Sequence, residues 1–187
     1  MKYRIRISQI LTIILLLMAR PFSTENFVIG IIIGAAGEAL RIWASGNLYK
    51  DKKLATYGPY TMVRNPLYVG SFMMAIGFAI ACFNLDYTVR SVALLAAVLL
   101  GFKYVYRLQV EAEETHLRGL FGKEYEDYMA QVPPYLPKLG NFGKAMETNR
   151  FSWAQAVYNR ERQTITGFLA VAAFVALKMK YPCLNLF

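Results

Sequence analysis

The chain has 187 residues, 56% of them hydrophobic and only 18% charged, with a mean hydropathy of +0.31; soluble domains run at roughly 45–50% apolar and about 25% charged, which excludes a soluble globule. Against 12 Asp and Glu stand 21 Lys and Arg, a net charge of +9, which points to nucleic acid, an anionic membrane face or basic topology-setting loops. Two cysteines, Cys82 and Cys183, and a single histidine, His116, exclude a disulfide framework and a Cys/His zinc cluster, and the absence of GxGxxG and of a Walker-type P-loop removes the common nucleotide sites.

A helix that crosses a bilayer needs about 20 apolar residues. The first apolar stretch, residues 7–19, is short and bounded by Arg4, Arg6 and Arg20; no small-x-small cleavage site follows, so it is predicted as a short first span rather than a signal peptide. The second span, residues 27–44, carries Gly30, Gly34 and Gly37, a small-residue stripe that lets a neighbouring helix approach closely. It also carries Glu38 and Arg41, three residues apart on one face and able to pair. Ionisable groups at this depth face a bundle interior or a polar cavity, so the pair is either structural or lines a site. Spans three, four and five are predicted over residues 66–83, 92–106 and 165–180, the last ending at Lys178 and Lys180, whose stems are long enough to snorkel to an interface.

The basic residues test this division. Sixteen lie before the first span, between spans two and three, or in residues 103–162; four, Arg20, Arg90, Lys178 and Lys180, lie on the other side, and Arg41 is inside a span. This asymmetry predicts a cytoplasmic N-terminus and an external C-terminus. The net charge therefore reports orientation, and no nucleic-acid partner is needed to explain it.

Two segments on the predicted cytoplasmic side are dense in residues with geometric demands. Residues 53–70 read KLATYGPYTMVRNPLYVG. Gly58-Pro59 sets a turn, Pro66 suits the first turn of the next span, and Asn65 stands in its N-cap position. Arg64, Asn65 and Tyr68 cluster there, where a helix N-terminus and a guanidinium both favour anions. Residues 111–137 read EAEETHLRGLFGKEYEDYMAQVPPYLP. Span four is predicted to continue out of the bilayer as a helix bearing Glu113 and Glu114, turn at Phe121-Gly122, and resume around Tyr125. From spacing alone, a juxtamembrane amphipathic helix whose acids balance nearby bases remains open.

The pairing of GPYxxVRNPLYVG with EExxLxxxFGxEYxxYxxxVPxxxP resembles the isoprenylcysteine carboxyl methyltransferase family, small integral membrane enzymes that use S-adenosylmethionine. The resemblance covers roughly residues 37–137, and both motifs occur in order, separated by a helical hairpin. It implies an all-α fold, a polytopic membrane bundle of about five transmembrane helices with cytoplasmic cofactor-binding loops. It also implies cofactor contacts at Lys52, Lys53, Leu54, Ala55, Tyr60, Asn65, Pro66, Leu67, Tyr68 and Glu113, with Arg64, Asn65 and Glu113 as the catalytic set. The cofactor carries a sulfonium, an ammonium and a carboxylate, so an acid, aromatic faces and hydrogen-bond donors suit it. No metal is implied. The family's cofactor enters from the cytosol and its lipophilic or lipidated acceptor from the bilayer.

The chain departs from the prenylcysteine enzymes at two positions. Asn65 stands where they have histidine, as it does in the similar phospholipid N-methyltransferases, and it cannot titrate near neutral pH. Gln109 stands where they place the arginine that holds the substrate carboxylate, one turn before Glu113; it is the candidate substrate residue here. Arg107 is two residues off that face. A carboxylate acceptor needs no base, whereas an amine must lose a proton, a task for which His116 is the only histidine available; a lone helical histidine is more often a surface residue, so His116 is not counted as catalytic.

The function expected is an integral membrane, S-adenosylmethionine-dependent methyltransferase of the carboxyl O-methyltransferase type, acting on a lipophilic acceptor. A phospholipid N-methyltransferase-like enzyme, a non-enzymatic membrane scaffold and an NADPH-dependent membrane reductase are the alternatives, the last disfavoured by FGxEYxxY. Residues 1–26 are expected to form the first span and loop, 27–137 the methyltransferase core, and 138–187 an interfacial helix over 138–163 followed by the last span.

Overall fold

The computed structural model describes residues 21, 23–181 and 183; the predicted first span, residues 7–19, lies outside the described residues. Seven α-helices follow one another there, and no strand occurs among the described residues: α1 Thr24–Gly46, α2 Pro66–Ala81, α3 Thr88–Phe121, α4 Lys123–Gln131, α5 Phe142–Glu147, α6 Trp153–Tyr158 and α7 Glu161–Lys180. By length and composition α1, α7 and the stretch Leu85–Phe121 containing α3 can each cross a membrane, and α2 is a shorter apolar helix. The fold is an all-α membrane bundle.

The seam between α1 and α2 is set by glycine. A Cβ on Gly37 would lie 2.5 Å from the Gly70 carbonyl oxygen, and one on Gly70 would lie 2.5 Å from that of Gly37; Gly30 and Gly77 face each other in the same way one register along. The Gly34 backbone also joins this seam, since a Cβ on Gly77 would lie 2.7 Å from Gly34 N, while a Cβ on Gly34 itself would meet Phe168 of α7 at 2.8 Å. The small-residue stripe thus serves two neighbours, with backbone against backbone on α2 and backbone against an aromatic ring on α7.

Arg41 does not pair with Glu38. Its Nε donates to Glu161 Oε1 at the start of α7 at 2.9 Å, its Nη1 to Leu67 O and Ser71 Oγ of α2, and its Nη2 to Glu161 Oε2 and Thr164 Oγ1. The neighbouring helices present acceptors for both edges of the guanidinium. Glu38 is buried, and neither of its carboxyl oxygens has a hydrogen-bond partner among the described residues.

At about 1.5 Å per residue, the 34 residues of α3 make a rod of about 50 Å, against a hydrocarbon core of about 30 Å. The helix therefore carries Glu113, Glu114 and His116 well past the apolar layer. It ends at Gly122, whose φ of +51° lets the chain turn at once into α4.

The predicted interfacial helix over residues 138–163 is instead two helices of six residues, α5 and α6, on either side of an irregular stretch. They fold back on the end of α1, where the last carbonyls need partners. Asn47 Nδ2 donates to Trp43 O and Asn159 Nδ2 to Ser45 O, while Gln155 Nε2 and Asn159 Nδ2 both reach Leu48 O. The buried Asn47 side chain also accepts from Arg150 N at 2.8 Å. The N–H groups of Arg150 and Ser152, in the irregular stretch, donate to Asn47 Oδ1 and Gly46 O at the same helix end, which they could not do inside one continuous helix.

Candidate functional site

The two motifs meet at one end of the bundle through main-chain pairing. Arg64 N–H donates to Pro133 O and Lys138 N–H to Met62 O, and the Asn141 side chain adds a bond from Nδ2 to Thr61 O, each at 2.9 Å. The Val-Pro-Pro stretch after α4 thereby runs beside the turn that precedes α2. Tyr128 donates its hydroxyl to Tyr60 O at 2.8 Å, fixing the short 3-10 helix Gly58–Thr61 against α4. Gly58 has φ +57°, and its Cβ would meet the Asn47 side chain, so this position admits glycine alone.

These contacts enclose a cavity of about 600 Å³, within the roughly 300–1,000 Å³ of small-molecule sites. Leu54 packs on the buried Tyr125, Tyr128 and Val132, and Ala55 on Tyr60 and Ala44, which draws the loop after α1 into its wall. Of the predicted residues, Lys53, Leu54, Ala55, Tyr60, Arg64, Asn65, Pro66, Leu67, Tyr68 and Glu113 all line it. Lys52 and Gln109 do not; both are exposed, Gln109 on α3.

Inside the cavity, Tyr68 donates its hydroxyl to Glu113 Oε2 at 2.9 Å and sets its ring edge-on to Tyr106 at 4.7 Å, with Phe102 stacked behind Tyr106. Tyr106 precedes Glu113 by seven residues, two turns, and so shares its face of α3. Tyr60 is 6% exposed and its hydroxyl has no hydrogen-bond partner among the described residues. Burial, with Tyr128 and Glu113 nearby, pushes the Tyr60 phenol well above its ordinary pKa, so it remains a donor. Burial likewise pushes Tyr125 up to about 12, the Glu114 charge adding to it. An unpartnered buried donor in a cavity wall is what a bound polar group would satisfy.

Arg64 and Asn65 are engaged in building the wall. Arg64 Nη2 stands 3.0 Å from Glu114 Oε1 with both side chains largely buried, an ion contact that does not complete a hydrogen bond at Glu114 Oε1. Asn65 occupies the N-cap position of α2 but its side chain does not cap it; Nδ2 donates instead to Pro134 O at 3.2 Å. Proline at the first helical position removes one orphan N–H, and the amide ties the two motifs together instead.

At the rim, His116 Nε2 lies 3.1 Å from Asp51 Oδ1, both exposed. At the inner end the wall includes Arg41 and Ser71, and these two residues also line a second cavity of about 510 Å³ among α2, α3 and α7. That cavity is apolar beyond them, with Met74, Phe78, Leu94, Val98, Phe168 and Val171 in its wall. No group of three or more His, Cys, Asp or Glu among the described residues is placed to hold a metal ion. Sequence reasoning missed Asp51, Tyr106 and the place of Arg41 in the walls of both cavities; the seven-residue spacing of Tyr106 and Glu113 was the available signal for one of them.

The family model described as phospholipid methyltransferase matches residues 24–124, more than half of the chain. The chain is 31% identical over 119 residues to the nickel-cobalt-cadmium resistance protein NccN of Alcaligenes xylosoxydans xylosoxydans, covering 62% of this chain and 50% of that one. It is 33% identical over 102 residues to the protein-S-isoprenylcysteine O-methyltransferase of Schizosaccharomyces pombe, covering 54% and 40%. To the same-named protein of Xenopus laevis it is 31% identical over 122 residues, covering 59% and 40%. The chain thus spans half or less of the length of these relatives. No solved structure matches it. With the family model matched over more than half of its length, the chain belongs to the phospholipid methyltransferase family, and it is similar to named isoprenylcysteine O-methyltransferases.

Proposed function

We propose that the chain is an integral membrane methyltransferase that holds S-adenosylmethionine in the cavity at the motif-bearing end and methylates a lipophilic acceptor of the isoprenylcysteine carboxylate type lodged in the adjoining apolar cavity. The observation that carries this reading is the shared wall: a cavity holding an acid, aromatic faces and an unpartnered buried hydroxyl lies against an apolar one, with Arg41 and Ser71 lining both. The positive-inside asymmetry supports placing the motif-bearing end in the cytoplasm, where the cofactor is dissolved.

The residues present suit this cofactor. When bound, it supplies an electrophilic methyl group on a cationic sulfur. Tyr68 holds the Glu113 carboxylate in one orientation, giving the cavity a fixed negative charge toward that cation. Tyr60, kept protonated by burial, donates to an acceptor atom of the ligand, and the exposed Lys53 at the wall offers its ammonium to the ligand carboxylate. Tyr106 and Tyr68 present ring surfaces to the cation and the base. Arg64 and Asn65, through Glu114 and Pro134, keep the two motifs in register. The protein's contribution to rate is alignment and exclusion of water.

A second reading, an amine acceptor on a phospholipid, is favoured by the Asp51–His116 pair at the rim, which can receive the proton an amine must lose. One experiment tests both. Purified protein is incubated with methyl-labelled S-adenosylmethionine and a membrane lipid extract. A labelled product that releases methanol in mild base is an ester and supports the carboxylate reading; a base-stable product is a methylated amine and supports the second. No labelled lipid product contradicts both.

A further inference from the structure

Resting on the methyltransferase reading above, we infer that α7, outside the family-matched segment, selects the acceptor: Glu161 locks Arg41 where the walls of the two cavities meet to take an oxygen-bearing head, and Gly167 leaves open the path of a hydrocarbon chain.

The head site follows from the bonds of Arg41. Its Nε and Nη1 are committed to Glu161, Leu67 and Ser71. Its Nη2 makes two long contacts, 3.4 Å to Glu161 Oε2 and 3.3 Å to Thr164 Oγ1, beyond the usual 2.7–3.2 Å of a strong N–H···O bond. Nη2 is therefore the edge that an incoming oxygen gains most from, and Thr164 lines the apolar cavity beside it. Gln109 is exposed on α3 and outside both cavities, so a carboxylate or phosphate head finds its guanidinium at Arg41 instead.

The chain site follows from shape. Ser71 and Cys82, both in the wall of the apolar cavity, stand about 16 Å apart along α2 at about 1.5 Å per residue. Spread over that length, about 510 Å³ gives a cross-section of about 30 Å², wide enough for a hydrocarbon chain. The buried Cys82 marks the far end. A Cβ added at Gly167, in the same wall, would meet nothing within 4 Å, so a larger residue there grows into the cavity without disturbing the packing. Arg41 and Glu161 are positioning residues in this scheme, and Gly167 is a specificity position.

The test uses Cys82 as reporter, in the full chain in lipid nanodiscs with the exposed Cys183→Ser change. The rate of labelling by a small thiosulfonate reagent is measured with a long-chain S-alkyl cysteine, its short-chain counterpart, a long-chain alkyl phosphate and a long-chain alkyl trimethylammonium. The long-chain cysteine and phosphate are expected to slow labelling about tenfold at saturation, and the short-chain and cationic probes to leave it unchanged. Glu161→Gln and Gly167→Phe are expected to abolish the protection, while in Gly167→Phe, outside the cofactor cavity, calorimetric affinity for S-adenosylmethionine shifts by less than about twofold, below about 0.4 kcal/mol. Equal rates with long and short probes, protection by all head groups alike, or a Cys82 that never reacts would overturn the inference, and these are read on the protein with α7 unmutated. Protection that survives both α7 substitutions would overturn the role of α7. Absence of cofactor binding would instead contradict the methyltransferase reading, a separate readout.

Discussion

The α1–α2 seam and the motif-bearing end are held together by opposite means. In the seam, glycine backbones touch, with no side chain between them. At the other end, side-chain amides, phenols and ion contacts tie loops to carbonyls, as in Tyr128 to Tyr60 and Asn65 to Pro134. The difference follows from solvent: lipid gives no hydrophobic reward for helix association, so close van der Waals packing must do it, whereas irregular backbone needs explicit polar partners. A rigid seam holds Arg41 at fixed depth, and a polar-latched end can admit a ligand. The two regions should therefore fail under different perturbations.

The largest effect is expected where they meet. Glu161→Ala leaves the mostly buried Arg41 without its counter-ion, and breaking such a pair costs about 3–5 kcal/mol; thermal unfolding in detergent should show it, and Glu161→Gln should recover part of the loss. Next, Gly37→Leu pushes side-chain atoms into Gly70 O and Met73 and is expected to destabilise by about 1–3 kcal/mol or more. Gly119→Leu, where an added Cβ meets nothing, should not.

Alkali should act on the polar end alone. Tyr60, Tyr125 and Tyr128 all have pKa values raised by burial, Tyr125 from 10.0 to about 12. A group whose folded pKa is raised contributes stability present below its unfolded value and lost as pH rises through the folded one. Hydrogen exchange should therefore show α4 and the 3-10 helix loosening between pH about 10 and about 12 while α1 stays protected. The smallest effect is expected at the rim: Asp51→Asn removes an exposed contact to His116 and should shift stability by less than about 1 kcal/mol.

What was legible in the sequence divides along the same line. The helices predicted over residues 27–44, 66–83 and 165–180 appear as Thr24–Gly46, Pro66–Ala81 and Glu161–Lys180, because apolar length alone specifies them. The glycine stripe announced the seam, although its second partner, α7, did not show in it. Polar partners were harder to read. Glu38 was the local partner for Arg41, but the bonds go to Glu161, 120 residues away, since only another helix can face both edges of the guanidinium. Asn65 was expected to cap its own helix, and its amide crosses to Pro134. The break in residues 138–163 did carry a signal, Ser152, which caps α6 by accepting from Gln155 N. Both motifs meet in one cavity, as their joint occurrence implied, whereas the wall it shares with the apolar cavity is made by Arg41 and Ser71, which no motif contains.

Titration calorimetry with S-adenosylmethionine on the purified protein, beside Glu113→Ala and Tyr60→Phe, tests the central claim most directly. The geometry predicts saturable binding that weakens by about tenfold or more in Glu113→Ala, about 1.4 kcal/mol, and by less in Tyr60→Phe. Absence of binding, or unchanged affinity in Glu113→Ala, would contradict it.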